Sequence, residues 1–179
     1  MRQVLATAMV VLWAGQALAQ EAAPEPLPEP AMDFTRMVEI AGALDPEAAV
    51  QGNAIQLTID DVPVLIITDP LADRMRAMVP IRSAAGIEPD EMRRLMQANF
   101  DSALDARYAV ANGRLWGVFI HPMRALERDQ LISGIAQTVN IAKTYGTLYS
   151  GGAMQFGGGD SPGLQRQLID RLLERGQDI

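Results

Sequence analysis

Residues 105–121 read DARYAVANGRLWGVFIH, and this stretch decides the fold class. It contains the pair Asn112-Gly113 between two strand-like runs. Both residues readily adopt the positive φ angles of a tight two-residue turn, so the pair is a strong short-range signal for a β-hairpin. We therefore predict a hairpin with one strand over 105–111 and the other over 114–121.

The second strand of this hairpin is apolar on both sides. Successive side chains of a strand point to opposite faces of the sheet. Both sets are apolar here: Trp116, Val118 and Ile120 on one face, Leu115 and Phe119 on the other. Both faces of the sheet therefore need a cover. The candidates are helices on each side, a second subunit, or the last helix of the chain folding back.

The chain upstream of this hairpin predicts a three-stranded antiparallel meander. Its first strand has apolar residues at alternate positions, Ile55, Leu57 and Ile59, which is typical of a half-buried strand. The second strand covers 62–68 and is apolar almost throughout. The third covers 73–82, and aspartates mark the turns between the strands.

Helices are predicted before, between and after these strands. Apolar residues at helical spacing indicate helices over 33–44, 88–100 and 127–149. In the second of these the expected buried stripe is Met92, Leu95, Met96 and Phe100. A Gly-rich linker over 151–161 leads to a last amphipathic helix over 162–177, with leucines at every fourth position. The order α-β-β-β-α-β-β-α with an extra C-terminal helix predicts an α+β fold. Its antiparallel sheet packs on helices, and a doubly wound parallel sheet is not expected.

The N-terminal residues predict export. Residues 1–19 combine a positive charge at Arg2, an apolar stretch and the small-x-small sequence Ala17-Leu18-Ala19, the pattern of a signal peptide cleaved after Ala19. Residues 20–32 consist mainly of Pro, Glu and Ala and predict an extended tether. We expect a periplasmic or secreted protein without a membrane span after cleavage.

Composition excludes several kinds of site and partner. The chain has no cysteine, so it forms no disulfide, no thiolate metal site and no cysteine-linked lipid anchor. Its net charge of −7 disfavours binding to nucleic acid. We expect one folded domain over 33–150 that rests on its own apolar core.

The sequence carries no catalytic signature. Its one histidine, His121, stands at a strand end before Pro122. General-base chemistry needs a second group that orients the imidazole, and no neighbouring residue supplies one. We predict no catalytic residue, no cofactor and no metal.

Charged residues near the turns leave two further interpretations open. Asp60, Asp61, Asp69 and Asp73 are typical turn residues, and the alternative is an oxygen-donor calcium site. Along the third meander strand, arginines alternate with apolar residues at Arg74, Arg76 and Arg82. They are expected on one face, either in solvent or against an anionic partner segment.

Residues 103–146, ALDARYAVANGRLWGVFIHPMRALERDQLISGIAQTVNIAKTYG, resemble the YbjN family. Members of this family are labelled bacterial sensory transduction regulators and are similar in fold to type III secretion chaperones. The resemblance extends over about 33–150 and implies a non-enzymatic, often dimeric α+β domain that binds polypeptides. Type III chaperones are cytosolic, so the expected export departs from the resemblance. The linker and last helix are extra to its core.

We therefore expect an exported, non-catalytic protein-binding or chaperone-like regulatory module. Its partner would be a polypeptide or a second copy in a homodimer. The predicted partner-binding residues are Met78, Trp116, Val118 and Ile120 on one sheet face. The alternative is a structural envelope-associated factor in which the tether and the tail helix make the contacts. A hydrolytic or metal-dependent enzyme is the third possibility.

Overall fold

Six strands form one antiparallel sheet in the order β1-β2-β3-β4-β6-β5. The computed structural model describes residues 29–101, 104–146 and 162–178. The strands are β1 (Ala49–Gln51), β2 (Ala54–Ile59), β3 (Val62–Asp69), β4 (Arg74–Ser83), β5 (Arg107–Ala111) and β6 (Arg114–Pro122). The helices are α1 (Phe34–Leu44), α2 (Pro89–Asp101), α3 (Arg128–Lys143) and α4 (Pro162–Arg175), followed by a short 3-10 turn at Gly176–Asp178. The predicted signal peptide 1–19, most of the tether and the linker 151–161 lie outside the described residues.

The predicted α+β fold is confirmed, including the three hairpin turns that the sequence signalled. Asn112 and Gly113 have φ angles of 51° and 70°, which are typical of the turn that joins β5 to β6. The aspartate pair between β2 and β3 behaves in the same way, with φ angles of 49° and 64° at Asp60 and Asp61. Asp and Asn tolerate this conformation better than other non-glycine residues.

All four helices pack on one face of the sheet. The main core lies between that face and α1, α3 and α4. Its fully buried members from the sheet and α3 include Ile55, Ile66, Ala77, Val79, Ile132 and Ile135. A second, smaller core joins α2 to β5, β6 and the end of α3 through Leu95, Tyr108, Leu115 and Ile141. Helix α3 is buried almost all round because α4 covers the side that the sheet leaves free.

Helix α4 belongs to the main core. Its Leu168 and Leu172 are buried and pack with residues of α1 and α3. Helix α4 ends at Arg175, and the next residue, Gly176, lies close to the Ile132 side chain of α3. The last helix therefore does not fold back over the other sheet face, which was one of the covers that we considered.

Asp60 connects this helix to the rest of the core. Its Oδ2 accepts hydrogen bonds from Arg171 on α4 at 2.9 Å and from Lys143 on α3 at 3.3 Å. Partial burial on its own raises the pKa of Asp60. The two hydrogen bonds and the two positive charges outweigh that effect, so the pKa of Asp60 lies below its ordinary value.

We expect Asp60→Asn to lower the free energy of unfolding by about 1 kcal/mol at pH 7, the upper range for partly exposed ion pairs. A carboxylate with a lowered pKa stabilises the fold above its unfolded pKa of about 3.9, and this contribution is lost as the pH falls through the lower folded-state value. The stability difference between wild type and variant should therefore shrink below about pH 4. Urea titrations at several pH values measure it, with Asp61→Asn in the same turn as the control. A difference that persists unchanged at low pH would show that the ion pairs are not its source.

The side chain of Asn99 hydrogen-bonds to backbone groups at one edge of the sheet. Asn99 on α2 accepts a hydrogen bond from the N–H of Tyr108 at 2.7 Å and donates one to its C=O at 3.0 Å. Tyr108 lies in the edge strand β5, so the Asn99 amide takes the place of a neighbouring strand. It also fixes α2 to the sheet.

Asn99→Ala should lower the free energy of unfolding by about 1–3 kcal/mol because two partly buried backbone groups lose their partner. Chemical denaturation provides the measurement. The matched control is Gln97→Ala, which changes an exposed side chain on the same helix. Equal effects of the two substitutions would mean that the Asn99 hydrogen bonds add nothing to stability.

Three expectations about individual elements were wrong. Strand β1 was not predicted; it is three residues long and exposed, too short for a sequence pattern. Helix α3 ends at Lys143 and does not reach 149, because Thr144 caps it and Gly146 has a φ of 80°. Met96 and Phe100 were assigned to the buried stripe of α2 but are 49% and 67% exposed. Helix α2 contacts only the β5 end of the sheet, so Leu95 alone is fully buried.

Candidate protein-binding surface

The second face of the sheet is apolar and carries no helix within residues 29–101, 104–146 and 162–178. We call it the open face. Its apolar members come from the three central strands and are Leu65, Ile67, Met78, Pro80, Trp116, Val118 and Ile120. Most are half-buried by their neighbours in the sheet, and Ile120 is 55% exposed. All four residues predicted to bind a partner, Met78, Trp116, Val118 and Ile120, lie on this face.

Strand register arranges these side chains in rows across the sheet. Met78 lies between Leu65 on β3 and Val118 on β6. The row on one side of it places Trp116 opposite Pro80. The row on the other side places Arg76 between Ile67 and Ile120. The rows together make a continuous apolar area, and contiguous exposed apolar surface is typical of an interaction site.

Trp116 is held in place on this face by two neighbours. Its indole N–H donates a hydrogen bond to the carbonyl of Ala111 at 3.1 Å. The guanidinium of Arg114 lies 5.9 Å from the ring centroid, within range of a cation–π contact. A fixed aromatic side chain loses little conformational entropy on binding, so Trp116 is suited to anchor a partner.

A groove of about 370 Å³ opens next to Trp116. Pro63, Leu65 and Pro80 form its apolar side, and Asp45 and Glu47 stand at its far end. The groove gives the open face a concave region in which a side chain of a partner has room.

Arg82 does not share a face with Arg74 and Arg76, contrary to the prediction. The register between β4 and β6 shifts between Pro80 and Arg82, and this irregularity turns Arg82 to the helix side. There its Nη1 donates to the Tyr145 hydroxyl at 3.2 Å. Burial, followed by a hydrogen bond to Glu91, raises the pKa of Tyr145, and Arg82 opposes the shift only in part. The alternation of arginines and apolar residues along the strand does not predict such a shift in register.

The aspartates of the two meander turns do not converge on one cation. Asp60 and Asp61 precede β3, whereas Asp69 and Asp73 lie at its other end. Eight strand residues separate the turns by about 25 Å. Within the described part of the chain, no three His, Asp or Glu side chains form a group that could hold a metal ion. The calcium alternative therefore fails for these four residues.

His121 lines a different cavity, of about 560 Å³, at the edge of the sheet beside the start of α3. Its Nδ1 lies 2.8 Å from the carbonyl oxygen of Pro122, and its ring stacks on Phe119 at 5.9 Å. Asp105 and Ser133 also line the cavity, but Gln137 links these two by hydrogen bonds of 3.3 and 3.2 Å. The contacts of His121 are those of a residue at a strand end.

Sequence reasoning missed part of the open face. Leu65 and Ile67 belong to it, but they were not among the residues predicted to bind a partner. The signal was present: β3 is apolar on both sides, like β6. What the sequence did not indicate was which of the two faces the helices would cover.

No protein-family model and no curated protein match the chain. The YbjN resemblance therefore stays a prediction. No helix among the described residues is long and apolar enough to span a bilayer.

Three solved complexes have a similar arrangement of helices and strands. The ExsC–ExsE complex aligns with a TM-score of 0.49 at 17% identity, over 64% of this chain and 94% of that one. The Yersinia pestis type III secretion chaperone SycH, bound to a stable fragment of YscM2, gives 0.49 at 18% identity, over 62% and 97%. The HopA1–SchA chaperone–effector complex gives 0.43 at 12%, over 64% and 88%. At these values the likeness concerns the arrangement of elements, and we base the proposed function on the chain's own surface.

Proposed function

We propose that this chain is a non-catalytic protein-binding module with a chaperone-like or regulatory role, and that its open face holds a polypeptide. The observation that carries the proposal is the open face itself. Seven apolar side chains of β3, β4 and β6 form a continuous surface that no described helix covers. Removing apolar surface from water contributes about 25 cal/mol per Å², so a partner that covers this face gains a substantial driving force.

The proposal includes export to the periplasm or beyond. It is supported by the signal-peptide pattern of residues 1–19. Two occupants of the open face fit this setting, a second copy of the chain and a segment of another polypeptide. Light scattering over a range of concentrations measures whether a homodimer forms.

The burial of the tail helix supports the open face as the contact surface. Leu168 and Leu172 of α4 are buried in the main core and Ile169 and Leu173 pack against it, so these four side chains are occupied within the chain. An envelope-associated factor that makes contacts through α4 would need other residues of the helix. With the tail helix occupied, the alternative function depends on the tether, residues 20–32.

Two variants separate the proposed function from the alternative. Trp116→Ala should abolish function in cells, and deletion of residues 20–28 should leave function largely intact. The reverse pattern would identify the tether as the working part. Near-UV circular dichroism and thermal unfolding of both variants control for loss of the fold.

A further inference from the structure

The open face is basic although the whole chain is acidic. Arg74 and Arg76 on β4 and Arg114 on β6 are exposed, and none of the three is in an ion pair with another described residue. Asp69 is the one carboxylate among the strand residues of this face. Its Oδ1 accepts hydrogen bonds from the backbone N–H groups of Leu71 and Ala72. The local surplus of positive charge contrasts with the net charge of −7.

The arginines stand at the two ends of the apolar area. Arg74 pairs with Pro122 at one end of β6, and Arg114 lies at the other end of the same strand. Eight residue steps separate those positions, which corresponds to about 27 Å along the strand. The apolar rows lie between these ends. Arg76 lies within one of the rows, between Ile67 and Ile120. A segment that lies along the strands therefore meets positive charge, then apolar surface, then positive charge again.

This arrangement disfavours a second copy as the occupant. Face-to-face pairing would bring Arg74, Arg76 and Arg114 of each copy to one interface, together with Arg107, which pairs with Val118 from β5. The carboxylates at hand are Asp69 and, at the far end of the groove, Asp45 and Glu47. Like charges placed against each other lower affinity. At physiological salt, charges more than about 8 Å apart are largely screened, so the arginines near the contact outweigh the distant net charge.

We propose that the occupant is a segment of a partner protein with an apolar stretch flanked by carboxylates on both sides. The inference rests on the proposed function and adds the chemistry of the partner. The apolar stretch fills the rows around Met78, Val118 and Trp116. The flanking carboxylates pair with Arg114 at one end and with Arg74 and Arg76 at the other. An extended segment of about eight residues spans the distance.

Two synthetic peptides test the inference: EELAVPLAVEE and its counterpart KKLAVPLAVKK, which has the same apolar stretch. The chain starting at Gln20 keeps every described core residue and has Trp116 as its single tryptophan, because Trp13 is absent. Titration calorimetry measures affinity, and Trp116 fluorescence reports binding at the open face. We expect the acidic peptide to bind at least tenfold more tightly. The preference should reverse in the triple variant Arg74→Glu/Arg76→Glu/Arg114→Glu.

A helix-side triple variant, Arg93→Glu/Arg94→Glu/Arg175→Glu, has the same net charge change and should keep the wild-type preference. Equal binding of both peptides would overturn the charge inference and leave the proposed function standing. Binding of neither peptide at millimolar concentration would count against both. A dimer that buries Trp116 would overturn the inference in favour of a second copy. Tighter peptide binding after Glu21→Gln/Glu25→Gln would overturn it in favour of the chain's own residues 20–28.

Discussion

Gly134→Val should lower the free energy of unfolding by about 3 kcal/mol, the upper range for overpacking a core. Gly134 lies in α3 where the helix crosses β6. A Cβ atom built at this position lies 2.5 Å from the ring atoms Cδ1 and Cε1 of Phe119. Phe119 is buried in the main core, so displacing its ring disturbs the packing there. Valine brings further atoms into the same contact, and urea denaturation measures the loss.

Gly42→Val is the matched control because Gly42 lies inside α1, where a Cβ atom would have no other atom within 4 Å. Valine is a slightly better helix former than glycine, so this variant should stay within about 0.5 kcal/mol of wild type. Similar stabilities of the two variants would contradict the close packing of α3 on β6. That packing positions β6, and β6 supplies Trp116 and Val118 to the open face.

Val118→Glu should weaken partner binding by about 100-fold or more, because covering an ionised carboxylate with apolar surface costs several kcal/mol. Val118 lies in the central row of the open face, next to Met78. Its side chain is half-buried in the sheet and points away from both cores, so folding should be affected much less than binding. Calorimetric titration with the partner or the acidic peptide gives the affinity, and thermal unfolding gives the stability.

Val50→Glu places the same change on a strand residue outside the open face. Val50 is in β1, half-exposed, and pairs with Ile55, whose side chain points to the helix side. This variant should bind like wild type. Equal loss of binding in both variants would indicate a general effect of added negative charge, and the open face would no longer be singled out.

The order of strands and helices was predictable because each local signal agreed with the final fold. The Asn112-Gly113 turn and the alternation of Ile55, Leu57 and Ile59 each depend on a few neighbouring residues. The position of α4 against α3 depends on contacts between segments far apart in sequence, such as Asp60 with Arg171. No local pattern encodes such a contact. The exposure of Phe100 depends in the same way on how little of the sheet α2 reaches.

The candidate surface was predictable in part. A strand that is apolar on both faces, β6, indicated surface that needs a cover, and alternation assigned Trp116, Val118 and Ile120 to one face. Neighbouring strands supply Leu65 and Ile67 to the same face through their register, which the sequence leaves open. The charge pattern of the face also depends on register, because the irregularity before Arg82 removes that arginine from it.

The most direct test of the open face as the binding surface is site-specific photo-crosslinking in living cells. A photoreactive amino acid is placed at Ile120 on the open face or at Met96 on α2, two apolar side chains of similar exposure on opposite sides of the molecule. We predict a discrete adduct from position 120, identifiable by mass spectrometry, and none from position 96. An adduct that forms from position 96 and not from position 120 would contradict the account.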